Sequence, residues 1–172
     1  MACALDLFER QGFEQTTVAQ IAQAAGVTEM TFFRHFPTKD SLVVDDPYDP
    51  VMAAAVAEQP AALPPLARAV AGVRAAWRRL PEPASETVRR RVRIAAATPS
   101  LRGAIAANNA RTETILVHQL VHDGADPLAA RVAAAAVLAG ITAALIEWSQ
   151  QTDLSLGEAV AAALDTLDRH HD

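Results

Sequence analysis

Residues 14–42 have the sequence EQTTVAQIAQAAGVTEMTFFRHFPTKDSL, and this stretch decides the fold. It shows where two short helices begin and end. A threonine that can cap a helix opens each of them, Thr17 for the first and Thr28 for the second. Gly26 ends the first helix and Pro37 terminates the second. The stretch therefore predicts two helices separated by only a few residues.

Ala22 and Gly26 stand four residues apart, the spacing at which two helices can meet through a tight turn. A bulky side chain at position 22 would push the helices apart, and only glycine takes a positive φ at low cost. We expect Val27 and Phe32 to fill the space between the helices. The pattern predicts a helix-turn-helix, whose second helix would lie in the major groove of DNA with its N-terminal residues toward the base edges.

The rest of the chain is also predicted to be helical. Alanine supplies 39 of the 172 residues, and it favours helices and disfavours strands. We predict short helices at residues 2–11, after Thr38 and at 51–58, and longer ones at 66–80, 85–98, 98–123, 127–151 and 155–168. A sharp break, DDPYDP at residues 45–50, divides this all-α fold into a helix-turn-helix domain (residues 1–46) and a second helical domain (residues 47–172).

Composition excludes several classes of protein. Fifteen Lys and Arg against twenty Asp and Glu give a net charge of −5, which argues against a general nucleic-acid coat protein but not against a specific DNA reader. The single cysteine, Cys3, excludes a disulfide framework and fits a reducing compartment. The longest apolar run, residues 132–146, is shorter than the roughly 20 residues that span a bilayer. We expect a soluble, cytoplasmic protein with no membrane partner.

The sequence contains no pattern typical of a catalytic or metal site. It has no Ser–His–Asp set, no G-x-S-x-G, no P-loop and no G-x-G-x-x-G. His118 and His122 are four residues apart, as metal ligands on a helix can be, but two ligands are too few for a structural zinc. We therefore expect no catalytic residue, no metal and no cofactor, and we do not expect an enzyme.

The segment ALDLFERQGFEQTTVAQIAQAAGV, followed by TEMTFFRHFPTKDSLV, resembles the tetracycline-repressor (TetR) family of bacterial transcription regulators over residues 4–43. The family keeps a small residue, an aromatic, Gly, Thr-Thr, Ile-Ala, Ala-Gly-Val and aromatic-x-His-Phe-Pro-x-Lys in this order. The break at 45–50 and Pro-x-Leu-Arg at 99–102 resemble one actinobacterial subgroup. The resemblance implies a homodimeric regulator, most often a repressor, that binds a double-stranded DNA operator and is released by a small-molecule effector.

The resemblance also implies which residues contact DNA. Phosphate contacts are expected at the start of the first short helix, at the end of the second and before the next helix, at Thr17, Arg34, His35 and Lys39. The leading turn of the second helix is expected to meet base edges through Thr28, Glu29, Met30 and Thr31. The family usually has tyrosine where Phe33 stands, so Phe33 would offer only an apolar contact. For Glu29, a favourable interaction with the helix dipole is an equal alternative.

Residues of the second domain are assigned to an effector pocket and to a dimer interface. Apolar walls with a few polar groups suggest a pocket formed by Trp77, Leu101, Ile105, Asn108, Arg111, His118 and Trp148. Pairing of the last two long helices with a second copy would use Val137, Leu138, Ile141, Leu145 and Leu164. Core packing, or for the polar residues a solvated surface, is the competing interpretation for each.

The arginines collect in one part of the chain. Residues 68–102 hold nine of them, including Arg89, Arg90, Arg91 and Arg93. The default interpretation is a solvated face that pairs with acidic residues elsewhere. An acidic effector, or a second anion site, is the alternative.

The predicted DNA-binding domain is itself acidic. Residues 1–46 hold three basic and seven acidic side chains, which predicts modest non-specific affinity for DNA. Members of the family usually begin with a longer basic arm and about one more turn of the first helix, and Met1 falls inside that longer helix, so either the arm is lacking or the native start lies upstream. These two features motivate an alternative function, that of a TetR-like interaction protein with weak or lost DNA binding.

Overall fold

The computed structural model describes residues 1–45, 49–79 and 85–168, and every regular element in these ranges is a helix. The all-α fold class is confirmed. In chain order the α-helices are α1 (Ala2–Gln11), α2 (Val18–Ala24), α3 (Glu29–His35), α4 (Ser41–Val44), α5 (Asp49–Ala57), α6 (Pro65–Arg79), α7 (Ser85–Ala97), α8 (Arg102–His122), α9 (Pro127–Gln150) and α10 (Leu156–Asp168). Part of the predicted break, residues 46–48, lies outside the described residues, as do residues 80–84 and 169–172.

Four of the described helices, α2, α3, α9 and α10, begin at a side-chain cap. Thr17 and Gln20 form the capping box that starts α2. The Asp126 carboxylate caps α9, and a Ser155 box starts α10. The helix predicted at residues 98–123 begins later, because the Thr98 side chain makes no capping bond and a 3₁₀ turn at Pro99–Leu101 precedes α8.

The apolar side chains form two clusters. The larger one lies among α5, α6 and α8–α10 and includes the fully buried Trp148. The smaller one holds together α1–α4, which we name the N-terminal head. Two residues from beyond the head, Ile94 of α7 and Leu101 of the 3₁₀ turn, are buried in that smaller cluster. The division at residue 46 remains a prediction, and the core of the N-terminal part extends across it.

Two neighbouring arginines of α7 tie the head to the rest of the subunit. Arg90 donates a bidentate pair of hydrogen bonds to the Glu9 carboxylate, each 2.7 Å long, and a third to Asp6. These carboxylates, Glu9 first, raise the pKa of the Arg90 guanidinium. Arg91 donates from Nε to the carbonyl oxygen of Val43 in α4, 3.1 Å away. The α7 helix is therefore hydrogen-bonded to both α1 and α4.

The other two arginines of this group, Arg89 and Arg93, bond to the backbone of α9. Arg89 donates to the carbonyl of Trp148 and lies over its ring, 4.3 Å from the ring centroid. Arg93 donates to the carbonyl of Ser149, 2.6 Å away. Both cations thus satisfy carbonyls in the last turn of α9, where the helix dipole favours positive charge. The expected pairing with acidic residues holds for Arg90, whereas Arg89 and Arg93 bond to backbone.

Among the described residues, α9 is the one helix long and apolar enough to cross a membrane by length and composition. Its 24 residues extend well past the apolar run at 132–146 that the sequence suggests. Such a helix is also expected in the core of a water-soluble protein, and Ala130, Ala133, Ala134 and Val137 of α9 are buried against its neighbours. Between residues 132 and 146 its exposed side chains are small or apolar, and the exposed Arg131 and Glu147 carry charge on either side of this run.

Candidate nucleic-acid interface

The turn between α2 and α3 has the geometry of a helix-turn-helix. Gly26 adopts φ 69°, and the N–H of Val27 donates to the Ala22 carbonyl at 3.0 Å. Ala22 and Phe32 are 2% and 5% exposed, as the close approach of the two helices requires. The prediction for Val27 was wrong: its backbone closes the turn, but its side chain is 42% exposed and does not fill the space between the helices.

The α3 helix presents an accessible surface of mixed chemistry. Met30 is 84% exposed and Phe33 is 49% exposed, and Glu29, Arg34 and His35 are exposed as well. Met30 and Phe33 therefore give this surface apolar area beside its charged groups. The surface therefore has the apolar and cationic groups with which a recognition helix meets thymine methyls and phosphates.

Thr28 and Thr31 are bonded to each other on the leading turn of α3. The Thr28 hydroxyl oxygen accepts from the Thr31 N–H at 3.2 Å, and their two hydroxyl oxygens are 3.1 Å apart. Each hydroxyl keeps further hydrogen-bonding capacity, and the methyl groups are unaffected. Their contact with base edges stays a prediction, with the hydroxyls held in fixed positions by the cap.

Lys39 has a structural role that the sequence did not reveal. Its Nζ donates to the carbonyl oxygens of Phe13 and Thr16, at 2.8 and 3.0 Å, and lies 4.1 Å from the centroid of the Phe13 ring. The ammonium therefore joins the α1–α2 corner to the segment before α4. One of its three N–H groups is left for a phosphate oxygen, so the phosphate contact stays a prediction. The signal in the sequence, a lone lysine between Pro37 and Asp40, does not distinguish the two roles.

The acidity of the N-terminal head is partly compensated within the subunit. Asp6 and Glu9 of α1 are bonded to Arg90, whose side chain is only 19% exposed. Arg34 and His35 lie on the last turn of α3, away from that pair along the sequence. The net charge of residues 1–46 therefore overstates the negative charge that DNA would meet.

A small cavity of 170 Å³ adjoins the head, between α4, α7, α8 and α9. Val43 and Val44 of α4 form one wall, and Leu145 and Ile146 of α9 form another. Of the predicted pocket residues, Ile105 and Asn108 line this cavity. Arg111 is next to it, since its guanidinium donates to the Asn108 side-chain oxygen at 2.8 Å.

The other four predicted pocket residues do not line this cavity. Leu101 and Trp148 are fully buried in the smaller and larger clusters. The indole Nε1 of Trp148 donates to the Leu154 carbonyl at 3.0 Å, which leaves no polar group for a ligand. Trp77 packs against the larger cluster, and His118 is exposed on α8. Leu101 and Trp148 are therefore core residues, and a ligand contact of Trp77 or His118 stays a prediction.

The outer face of α9 and α10 carries an apolar groove. It measures about 420 Å³ and is lined chiefly by small residues, among them Gly140, Ala143, Ala144, Ala159 and Ala163. Because small side chains let helix backbones approach closely, this groove suits packing against another helix. No group of His, Cys, Asp and Glu that could hold a metal occurs among the residues that the structure describes.

The predicted interface residues divide into two groups. Val137 and Leu164 are 0% and 1% exposed inside the subunit, so their assignment to a contact with a second copy was wrong. Both belong to the inward stripe of their helix, which is as apolar as the outward one. Leu138, Ile141 and Leu145 are partly buried against the larger cluster, and their contact with a second copy stays a prediction.

A helix-turn-helix with an exposed second helix, joined to an all-helical domain with its own core, defines a DNA-binding regulator. The family model for bacterial regulatory proteins of the TetR family matches residues 1–45, and that for the MftR C-terminal domain matches residues 63–172. The chain belongs to the TetR family of transcriptional regulators, with a C-terminal domain of the actinobacterial type that its sequence suggested.

The chain is also similar to individual proteins. The chain is 45% identical over 65 residues to the HTH-type transcriptional regulator TcmR of Streptomyces glaucescens, a stretch that covers 37% of this chain and 29% of that protein. It is also similar to the crystal structure of PfmR, a TetR family transcriptional regulator from Thermus thermophilus. That likeness has a TM-score of 0.46 and 23% identity over 99% of this chain and 97% of the other. Members of the family bind DNA operators and small-molecule effectors, form dimers and are generally not enzymes.

Proposed function

We propose that this protein is a homodimeric repressor that binds a near-palindromic double-stranded DNA operator in the cytoplasm and is released from it by a small molecule. The observation that carries the proposal is the exposed surface of α3 beyond a well-formed helix-turn-helix turn. Thr28, Glu29, Met30 and Thr31 would meet base edges, and Phe33 would supply an apolar contact. Thr17, Arg34, His35 and Lys39 would hold the phosphates.

The groove between α9 and α10 supports the dimer. Its lining is almost entirely apolar, and a second copy placed across a twofold axis would bring the same helices together as a four-helix contact. Leu138, Ile141 and Leu145 do not line this groove, so any contact that they make with the second copy would lie outside it. Two recognition helices about 34–36 Å apart would then meet successive turns of the major groove, which is why the operator is expected to be nearly palindromic.

The cavity beside α4 supports regulation by an effector. Val43 and Val44 form its wall and belong to the last helix of the N-terminal head, so a molecule that enlarges the cavity displaces that helix. Ile105, Asn108 and Arg111 would contact the effector. Arg91 holds the carboxyl end of α4 to α7, so a shift of either helix is passed to the other. Release follows when the effector has a higher affinity for the displaced arrangement than for the one that fits DNA.

The proposal is tested by gel shift with the DNA fragments that flank the protein's own gene, at low salt. We expect a retarded band that a substitution on α3, Met30→Asp, removes, because a carboxylate at this position, where the native side chain is 84% exposed, would face phosphates. Ala110→Asp, at an exposed position of α8, is the matched control and should leave the band unchanged. A protein that retards none of these fragments is not an operator-binding repressor, and the alternative of an interaction protein would then hold.

A second prediction concerns Lys39 and separates its two roles. Lys39→Ala is expected to weaken binding to all DNA sequences alike and to lower the salt slope of log K by about one, through loss of one phosphate contact. Because the Phe13 and Thr16 carbonyls lose their donor, the free energy of unfolding should also fall by about 1 kcal/mol. Arg34→Ala, on exposed α3, is the comparison: its salt slope should fall equally without loss of stability. A change in base preference for Lys39→Ala would contradict the phosphate assignment.

A further inference from the structure

None of the described residues that line the cavity beside α4 carries a charge. Most of its wall is alanine, valine, leucine and isoleucine from α4, α7, α8 and α9. The remaining side chains, Asn108, Asn109 and Thr142, are polar and neutral. A charged group in these surroundings would give up its bonds to water and find no opposite charge. The lining therefore favours an uncharged molecule.

The charged side chains that adjoin this cavity are engaged with protein groups. The Arg111 guanidinium donates to Asn108 Oδ1 at 2.8 Å and lies 3.9 Å from the Asp45 carboxylate. Both charged side chains are more than half exposed, so water also screens them. The Arg91 guanidinium donates to backbone carbonyls at the end of α4. These contacts leave no uncompensated charge directed at a ligand inside the cavity.

Asn108 is the residue of this cavity that points to a ligand. Its side chain is buried, with the residue 8% exposed, and its Oδ1 accepts from Arg111, which fixes the orientation of the amide. Its Nδ2 has no acceptor among the described residues, and this nitrogen keeps some accessible surface. An amide nitrogen carries two donors, and a donor among apolar groups is rarely left without an acceptor. The cavity therefore offers a hydrogen bond that a ligand oxygen can accept.

The volume of the cavity, 170 Å³, sets the size of what it can hold without rearrangement. An apolar cavity of about 150 Å³ is enough for one benzene ring. A single water occupies about 30 Å³ and would leave most of the apolar wall uncovered. The cavity therefore accommodates a molecule of about one ring in the arrangement that the structure shows.

We propose that the effector is an uncharged, largely apolar molecule whose carbonyl or hydroxyl oxygen accepts a hydrogen bond from Asn108 Nδ2 and whose apolar part packs against Val43 and Ile105. This inference rests on the proposed function, because it gives a chemical class to the effector of that same site. A member of this class that is larger than one ring would press on Val43 and displace α4, as release from DNA requires.

The test uses four probes that each contain one ring. Acetophenone carries the carbonyl oxygen, α-methylstyrene has a CH₂ group in its place, and benzoate and benzylammonium carry opposite charges. Binding of each to the whole protein is measured by titration with saturation-transfer NMR. We expect both neutral probes to bind, and each ion to bind at least about tenfold more weakly than acetophenone.

Asn108→Asp isolates the hydrogen bond, because it keeps the oxygen that meets Arg111 and replaces Nδ2 by a second oxygen. It should weaken acetophenone binding about tenfold and change α-methylstyrene binding by less than about twofold. Ala96→Leu fills the cavity from an exposed position on α7 and should abolish binding of both neutral probes. Ala110→Leu is the matched control, since it adds the same side chain at an exposed position of α8 outside the cavity, and it should bind them as the wild type does.

The proposal is overturned if acetophenone fails to bind, if either ion binds as tightly as the ketone, or if Asn108→Asp weakens both neutral probes alike. Retained binding in Ala96→Leu would place the ketone outside this cavity and would overturn it as well. None of these readouts involves DNA. A protein that binds acetophenone through Asn108 but retards no DNA fragment would keep the site and lack the repressor function, so the two failures are distinguishable.

Discussion

Phe32→Ala is expected to abolish DNA binding by unfolding the N-terminal head, whereas Phe33→Ala weakens binding and leaves the head folded. Phe32 is 5% exposed and lies at the centre of the smaller cluster, with its ring centroid 5.5 Å from that of Phe36. Truncating a buried phenylalanine costs about 3–5 kcal/mol, which is most of the stability that a small unit has. Phe33 is 49% exposed and its ring meets that of Phe32 edge to face, with centroids 5.4 Å apart, so its removal should lower the free energy of unfolding by about 0.5–1.5 kcal/mol, well below the cost at Phe32.

The two adjacent phenylalanines are matched in size and differ in burial, so each is the control for the other. Hydrogen exchange of the amides of residues 18–44 measures the folding of the head, and gel shift measures DNA binding. In Phe32→Ala we expect lost protection in α2 and α3, with α9 and α10 still protected by the larger cluster. A Phe32→Ala protein with normal protection in α3 would show that this ring is not the centre of the head's core.

Gly72→Ala is expected to destabilise the protein, although alanine is normally preferred to glycine in a helix. Gly72 lies in α6 where α5 crosses it, and a Cβ at this position would be 2.5 Å from Val56 Cα and 2.8 Å from Val56 N. Backbone atoms cannot move aside as the end of a flexible side chain can. The two helices would have to separate, at a cost of about 1–3 kcal/mol.

Gly103→Ala is the matched control for this second substitution. Gly103 lies in the first turn of α8, and nothing would come within 4 Å of a Cβ there. The usual helix preference should therefore stabilise Gly103→Ala, by up to about 1 kcal/mol. Urea denaturation of both variants gives the two signs directly. Equal effects of the two substitutions would mean that α5 and α6 do not approach as closely as the structure shows.

Local chemistry made much of this fold predictable. The capping boxes at Thr17 and Ser155, the Asp126 cap and the positive φ of Gly26 all depend on residues within a few positions of one another. Such interactions appear as short patterns in the sequence, and they define helix ends and the turn before any tertiary contact forms. The exposed surface of α3 followed from the same patterns, because the buried positions of a short helix determine the exposed ones.

What the sequence could not show depends on contacts between distant residues. Arg90 bonds to carboxylates more than eighty positions earlier, and Lys39 bonds to carbonyls that every residue carries. The inward and outward faces of α9 are both rich in alanine, valine and leucine, so periodicity could not show that Val137 faces the core. The burial of Arg68 could not be predicted either, because one arginine among the nine in residues 68–102 gives no sign that it is buried.

The burial of Ile94 and Leu101 in the core of the head has a consequence for modular engineering. A chimera of two related regulators could be made by exchanging the N-terminal head, with the two chains joined at the break after α4. In this chain such a cut would separate Leu5, Phe8 and Phe32 from Ile94 and Leu101. Their apolar neighbours would then come from the sequence of another protein. A working chimera would have to carry α7 and the 3₁₀ turn along with α1–α4, so the unit that can be transplanted is discontinuous in sequence.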